Sequence, residues 1–130
     1  MRRTLLALLC TLAFAMPVFA QAPAPLSLAP APLIRSGTYA VQGTAPDGTA
    51  YEGALELQAT GPQSWRLTWR IAGDTTIGAG LSVGDRLVFG YRSEGEVGTG
   101  FYEPQSDGRI TGRWTQGAQG GVGTEVLSPR

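Results

Sequence analysis

Seven turn signals cut the chain at near-regular intervals, and this punctuation constrains the fold more than any other feature. The breaks are Pro46-Asp47-Gly48, Gly61-Pro62, Gly73-Asp74, Gly84-Asp85, Glu94-Gly95, Ser106-Asp107-Gly108 and the Gly117–Gly121 cluster. Each has a conformational cause: Gly takes positive φ, Pro presets its own φ, and Asp hydrogen-bonds its own turn. Between them lie runs of alternating apolar and polar residues at 38–44, 50–59, 65–72, 76–83, 86–93, 96–103, 109–116 and 122–128. No window in this region repeats with the helical period. Short strands at about one per dozen residues have the spacing of an all-β barrel or sandwich.

Period two assigns an inward face to each run. The third run is the clearest, with Trp65, Leu67, Trp69 and Ile71 alternating against Arg66, Thr68 and Arg70. The first two runs offer Tyr39 and Val41, then Tyr51, Gly53, Leu55 and Leu57. The next two offer Ile77, Ala79, Leu81 and Val83, then Leu87, Phe89 and Tyr91. The last three give Val97 and Phe101, Ile110 and Trp114, and Val122 and Val126.

These faces make expectations about register. Tyr39 pairs with Leu55, and Val41 with Gly53. Gly73-Asp74-Thr75 and Gly84-Asp85-Arg86 are read as three-residue loops, because a shorter first loop would split the apolar face. Phe101 then falls opposite Thr111 rather than Ile110. That conflict calls for a bulge near Pro104 or a reversed face. Mid-strand glycines at 78, 80, 90, 98, 100, 112 and 123 act as bends in strongly coiled strands, and closure removes exposed edges. The fold predicted is a small eight-stranded antiparallel up-and-down barrel, with a β-sandwich as the alternative.

The first 35 residues are of a different kind. Arg2 and Arg3 precede an apolar stretch from Leu5 to Val18, which ends in Val18-Phe19-Ala20. This has the form of a Sec signal peptide cut after Ala20. The stretch is too short to serve as a spanning helix. Residues 21–35 form an Ala/Pro-rich extended linker, and 36–130 a single barrel domain. The expected location is the periplasm or the extracellular space.

Cleavage would leave a chain with no Cys, His, Lys or Met. A Ser–His–acid triad and zinc sites of the His/Cys type are excluded. Eight Arg against ten carboxylates leave a small negative charge, which argues against a nucleic-acid partner. A carboxylate pair could still support glycoside hydrolysis, with Glu52, Glu56, Glu94, Glu96, Glu103 and Glu125 as candidates; most of these are read at outward or turn positions, so a carboxylate-based hydrolase stands behind the binding readings. No enzyme activity, metal or cofactor is therefore expected. Outward pairs of Glu52 and Glu56 with Arg66 and Arg70 read as solvated ion pairs. The remaining candidates for ligand contact are aromatic: Tyr39, Trp65, Trp69, Phe89, Tyr91, Phe101 and Trp114. They either fill the barrel or line a small apolar pocket at one mouth. The expected function is non-catalytic binding of a protein or cell-envelope component. The alternative is carriage of a small apolar molecule.

The pattern G-x-Y-x-V-x-G-x-x-P-D-G-x-x-Y-x-G from Gly37 to Gly53 is followed by Leu67-x-Trp69, Gly78-x-Gly80, Tyr102 to Trp114, and Gly123-Thr124-Glu125. It resembles short secreted bacterial proteins of uncharacterised function. In architecture it resembles the calycin group of lipocalins, avidins and small protease inhibitors. That resemblance implies an eight-stranded barrel and transfers no functional residues. It departs from lipocalins in placing Gly112-Arg113-Trp114 on the seventh run, and from the inhibitors in lacking a disulfide.

Overall fold

The computed structural model describes residues 33–118 and 120–130. The signal segment and most of the linker lie outside them. Eight strands follow in order: β1 (Gly37–Thr44), β2 (Ala50–Ala59), β3 (Ser64–Ile71), β4 (Asp74–Val83), β5 (Arg86–Ser93), β6 (Glu96–Pro104), β7 (Ile110–Gln116) and β8 (Gly123–Pro129). Each pairs antiparallel with the next, and β8 returns to pair with β1, so the sheet closes into a barrel. The up-and-down barrel is thus the fold, and the sandwich alternative is set aside. Tyr39 faces Leu55 and Val41 faces Gly53, as the alternation requires.

The assigned faces hold on β1, β2, β3, β5 and β7 and reverse on β4, β6 and β8. Ile77, Leu81 and Val97 are 51%, 59% and 62% exposed. Inside stand Gly78 and Gly80 on β4, Gly98, Gly100 and Tyr102 on β6, and Gly123, Glu125 and Leu127 on β8. Phe101 points outward beneath the Arg86 guanidinium, 5.3 Å from its ring centroid. Val122 is half exposed and Val126 faces away from the core. The conflict between β6 and β7 is resolved by the reversed face. Their register runs unbroken from Gly98–Gln116 to Pro104–Ile110, without a bulge.

The loop lengths are corrected in the same way. Ile71 pairs with Asp74 and Val83 with Arg86, so both turns have two residues. The first is Ala72-Gly73, with φ of 52° and 82°. Positive φ at both positions is the I′ geometry that suits a twisted hairpin. An alanine there costs about 1–2 kcal/mol of backbone strain, so its identity hides the turn. Ala72→Asn should relieve that strain and raise stability by about 1 kcal/mol. Thermal denaturation should then show a midpoint higher by roughly 4–8 °C. An unchanged or lower midpoint contradicts the strain argument.

The interior has two ends. At one, Ile34 packs beneath the core, the Tyr39 hydroxyl donates to the Arg35 carbonyl at 2.7 Å, and the Trp65 indole N–H donates to Ser82 Oγ at 2.8 Å. Above these lie Val41, Leu55, Leu57, Leu67, Leu87 and Leu127, all essentially without solvent contact. Each such side chain stabilises the fold by about 1.5–3 kcal/mol. With no cysteine in this domain, packing and backbone pairing carry its stability. The opposite end is where the β1–β2, β3–β4, β5–β6 and β7–β8 connections lie, and there the packing stops short.

Candidate functional site

Rings and glycines interlock around the upper half of the barrel. Trp69 covers Gly78, Tyr91 covers Gly98, Phe89 covers Gly100, Tyr102 covers Gly112 and Trp114 covers Gly123. In each place the ring takes the volume that a side chain on the glycine would need. The rings also pack on one another, with centroids 5.3 Å apart for Trp69–Phe89, 5.5 Å for Trp69–Tyr91 and 4.7 Å for Phe89–Tyr102. Such tilted contacts add about 0.5–1.5 kcal/mol beyond the area they bury. The mid-strand glycines are therefore seats for rings as well as points where strands coil.

Above this layer a cavity of about 290 Å³ opens at the mouth. Its walls are Tyr51, Trp69, Phe89, Tyr91, Tyr102 and Trp114, and Ala72, Asp74, Ser93 and Gln116 stand toward the rim. The volume equals that of about ten waters and lies at the lower end of small-molecule pockets.

One carboxylate reaches this cavity from the barrel wall. Glu125 on β8 is 6% exposed. Its Oε1 accepts a hydrogen bond from the Tyr51 hydroxyl at 2.8 Å, and its Oε2 one from the Tyr102 hydroxyl at 2.5 Å. Each phenol oxygen in turn accepts an indole N–H: Trp114 donates to Tyr51 at 2.8 Å and Trp69 to Tyr102 at 3.0 Å. The result is two parallel relays, indole to phenol to carboxylate, drawn from β7, β2, β3, β6 and β8. Tyr91 stands apart, its hydroxyl near the Thr115 carbonyl and Gln116. No buried side-chain polar atom among the described residues lacks a partner.

Burial pushes the Glu125 carboxyl above the ordinary carboxylate range, against the pull of the hydrogen bonds from Tyr102 and Tyr51. The phenols move further. Burial and then the Glu125 charge raise Tyr91 to about 12, and the same two causes raise Tyr51 and Tyr102. Burial raises Tyr39 at the closed end. These are all four tyrosines of the chain. Native pKa values above the unfolded 10 mean that their contribution to stability is complete below pH 10. It is lost as pH rises through 10 and beyond. The folded protein should show little tyrosinate absorbance at pH 10, where a free phenol is half ionised. A simple titration at pH 10 in the folded state contradicts this placement.

Of the seven aromatic candidates, the structure brings Trp69, Phe89, Tyr91 and Trp114 together in the cavity wall. Tyr39 and Trp65 are inside but at the closed end, and Phe101 is outside. The sequence reading named Glu125 as a carboxylate but not as an inward one, and it missed Tyr102; both sit on strands whose faces it reversed. It placed Tyr51 inside without giving it a role. The Arg70–Glu56 ion pair forms on the outer surface at 3.7 Å, and Arg109 pairs with Asp107 at 2.8 Å. Both are exposed, and the first is one that the solvated reading expects.

No protein-family model matches this chain, and no curated protein matches it in sequence. Solved structures do match in fold. The redesigned β-barrel mFAP1, bound to DFHBI, has 24% identity and a TM-score of 0.60, over 73% of this chain and 94% of its own. The redesigned barrel b11L5F_LGL has 20% identity and a TM-score of 0.60, over 73% and 90%. A fluorescence-activating β-barrel of de novo design has 19% identity and a TM-score of 0.55, over 74% and 94%. At these identities the likeness is one of fold: this chain has the same closed eight-stranded architecture.

Proposed function

We propose that this protein is a non-catalytic small-molecule binder, exported by its N-terminal segment, that holds its ligand in the open mouth of the barrel. One observation carries the reading. The interior is closely packed at one end and left open at the other, where aromatic walls converge on a single buried hydrogen-bonded carboxylate. Ligand sites are mostly apolar, with few polar groups placed to orient the guest. The matched barrel mFAP1 is bound to the small molecule DFHBI, which supports this use of the architecture.

The other reading, a protein or cell-envelope partner, would use the outer face. There Ile77, Leu81, Val83 and Val88 form an exposed apolar strip on β4 and β5. No described feature of that strip selects an occupant, whereas the cavity selects one by size and polarity. A nucleic-acid partner is not expected, because cleavage would leave eight Arg against ten carboxylates. Among the described residues no helix is long and apolar enough to cross a membrane.

Native mass spectrometry of the protein, purified gently from the periplasm of an expressing cell, tests the reading. The expected spectrum carries a reproducible small-molecule adduct that is lost on denaturation. An apo mass under conditions that preserve the fold, together with no uptake of added small aromatic probes, overturns it.

A further inference from the structure

The carboxylate in the cavity wall lacks the partner that buried charges ordinarily have. No arginine lines the cavity, and the chain holds no lysine or histidine. Asp74 at the rim is also acidic. Two phenols satisfy one acceptor site on each Glu125 oxygen. A carboxylate has about four such sites, so the two phenols do not exhaust its capacity, and Glu125 lines the cavity from which a donor would arrive. The walls beside it are the faces and edges of Trp69, Phe89, Tyr91 and Trp114, whose π-systems attract cations. The indole N–H groups of Trp69 and Trp114 are already committed to the phenols. The ionisable groups facing the cavity that carry charge near neutral pH are thus acidic, Glu125 and Asp74, while Thr76, Ser93 and Gln116 add neutral groups that can donate or accept.

We infer that the ligand is a small organic cation: an ammonium or amidinium group set against Glu125, on an apolar or aromatic body held by the surrounding rings. This rests on the small-molecule reading and narrows it to one charge class. Anionic guests meet two carboxylates without a counter-charge. Neutral guests of the same shape gain the aromatic contacts and leave Glu125 without a counter-charge.

The test is a charge series of near-equal shape: benzylammonium, benzyl alcohol and benzoate, each titrated into the purified protein by calorimetry. Benzylammonium should bind about ten-fold more tightly than benzyl alcohol, with benzoate weakest. In Glu125→Gln the advantage of benzylammonium over benzyl alcohol should shrink to about two-fold or less. The wild-type series alone decides the charge class, so the inference stays open to refutation even if that variant folds poorly. If benzyl alcohol or benzoate binds as tightly as benzylammonium, the cation inference fails and the small-molecule reading survives. If none of the three binds at about 10 mM, both fail.

Discussion

Gly112→Val is expected to destabilise the barrel by about 3 kcal/mol or more, whereas Gly90→Val should change it by less than about 0.5 kcal/mol. The two substitutions are chemically identical and lie on strands of the same sheet. Gly112 faces inward, and a side chain there meets the ring of Tyr102. Tyr102 is 1% exposed and holds both Trp69 and Glu125, so the ring cannot give way without breaking the relay. Gly90 faces solvent, and a Cβ there meets only the Gly98 carbonyl at an ordinary 3.7 Å. Valine also suits an exposed strand position. Thermal melts of both variants read the contrast directly, with a fall of about 12 °C or more expected for Gly112→Val. Equal effects, or the reverse order, would falsify the interlock of rings and glycines.

Tyr102→Phe carries the second large effect, a loss of about 2–4 kcal/mol from the removal of one oxygen. The hydroxyl accepts from the Trp69 indole and donates to Glu125. Its removal leaves a buried donor and a buried acceptor without partners, each costing about 1–3 kcal/mol. Tyr51→Phe removes the matching oxygen of the other relay. Tyr51 lies at the open mouth and is only partly buried, so water can take the place of its hydroxyl. Its loss should therefore be smaller, by about 1 kcal/mol or more. Chemical denaturation of the two variants checks this order. Equal losses would mean that water reaches both phenols alike.

The closed barrel was legible in the turn chemistry, because seven Gly-, Pro- and Asp-bearing breaks leave room for little but short strands joined as hairpins. The third strand was legible for a simple reason: Trp65, Leu67, Trp69 and Ile71 alternate with charged or hydroxylic neighbours. The errors on β4, β6 and β8 share one physical origin. Hydrophobicity alone does not mark the inward face, because in a narrow barrel area and volume both count. Large rings from β3, β5 and β7 fill the interior, so the positions opposite them must be glycine. Ile77, Leu81 and Val97 are then displaced to the surface although they are more apolar than what replaces them. The runs Gly78-x-Gly80, Gly98-x-Gly100-x-Tyr102 and Gly123-x-Glu125-x-Leu127 contained the signal. Glycines two apart mark a face, and that face points toward the neighbouring strand's rings. Read so, Glu125 and Tyr102 fall inside.

The loop error follows from the same reversal, compounded by Ala72. A left-handed alanine is disfavoured enough that Gly73 reads as the first residue of its turn. The third residue then given to the loop makes the register shift odd, and an odd shift flips all of β4. The carboxylate site was illegible for a further reason. Its two tyrosines and two tryptophans come from four different strands, and only closure brings them to β8.

The three indole N–H groups allow the most direct test of where a ligand goes. Trp69 and Trp114 donate into the relays at the cavity, and Trp65 donates to Ser82 at the closed end. Each should give its own resonance in a ¹H–¹⁵N spectrum. Titration with benzylammonium should shift the Trp69 and Trp114 signals together, saturably, and leave Trp65 in place. Saturable binding that moves Trp65 alone, or moves none of the three, contradicts a ligand site at the open mouth.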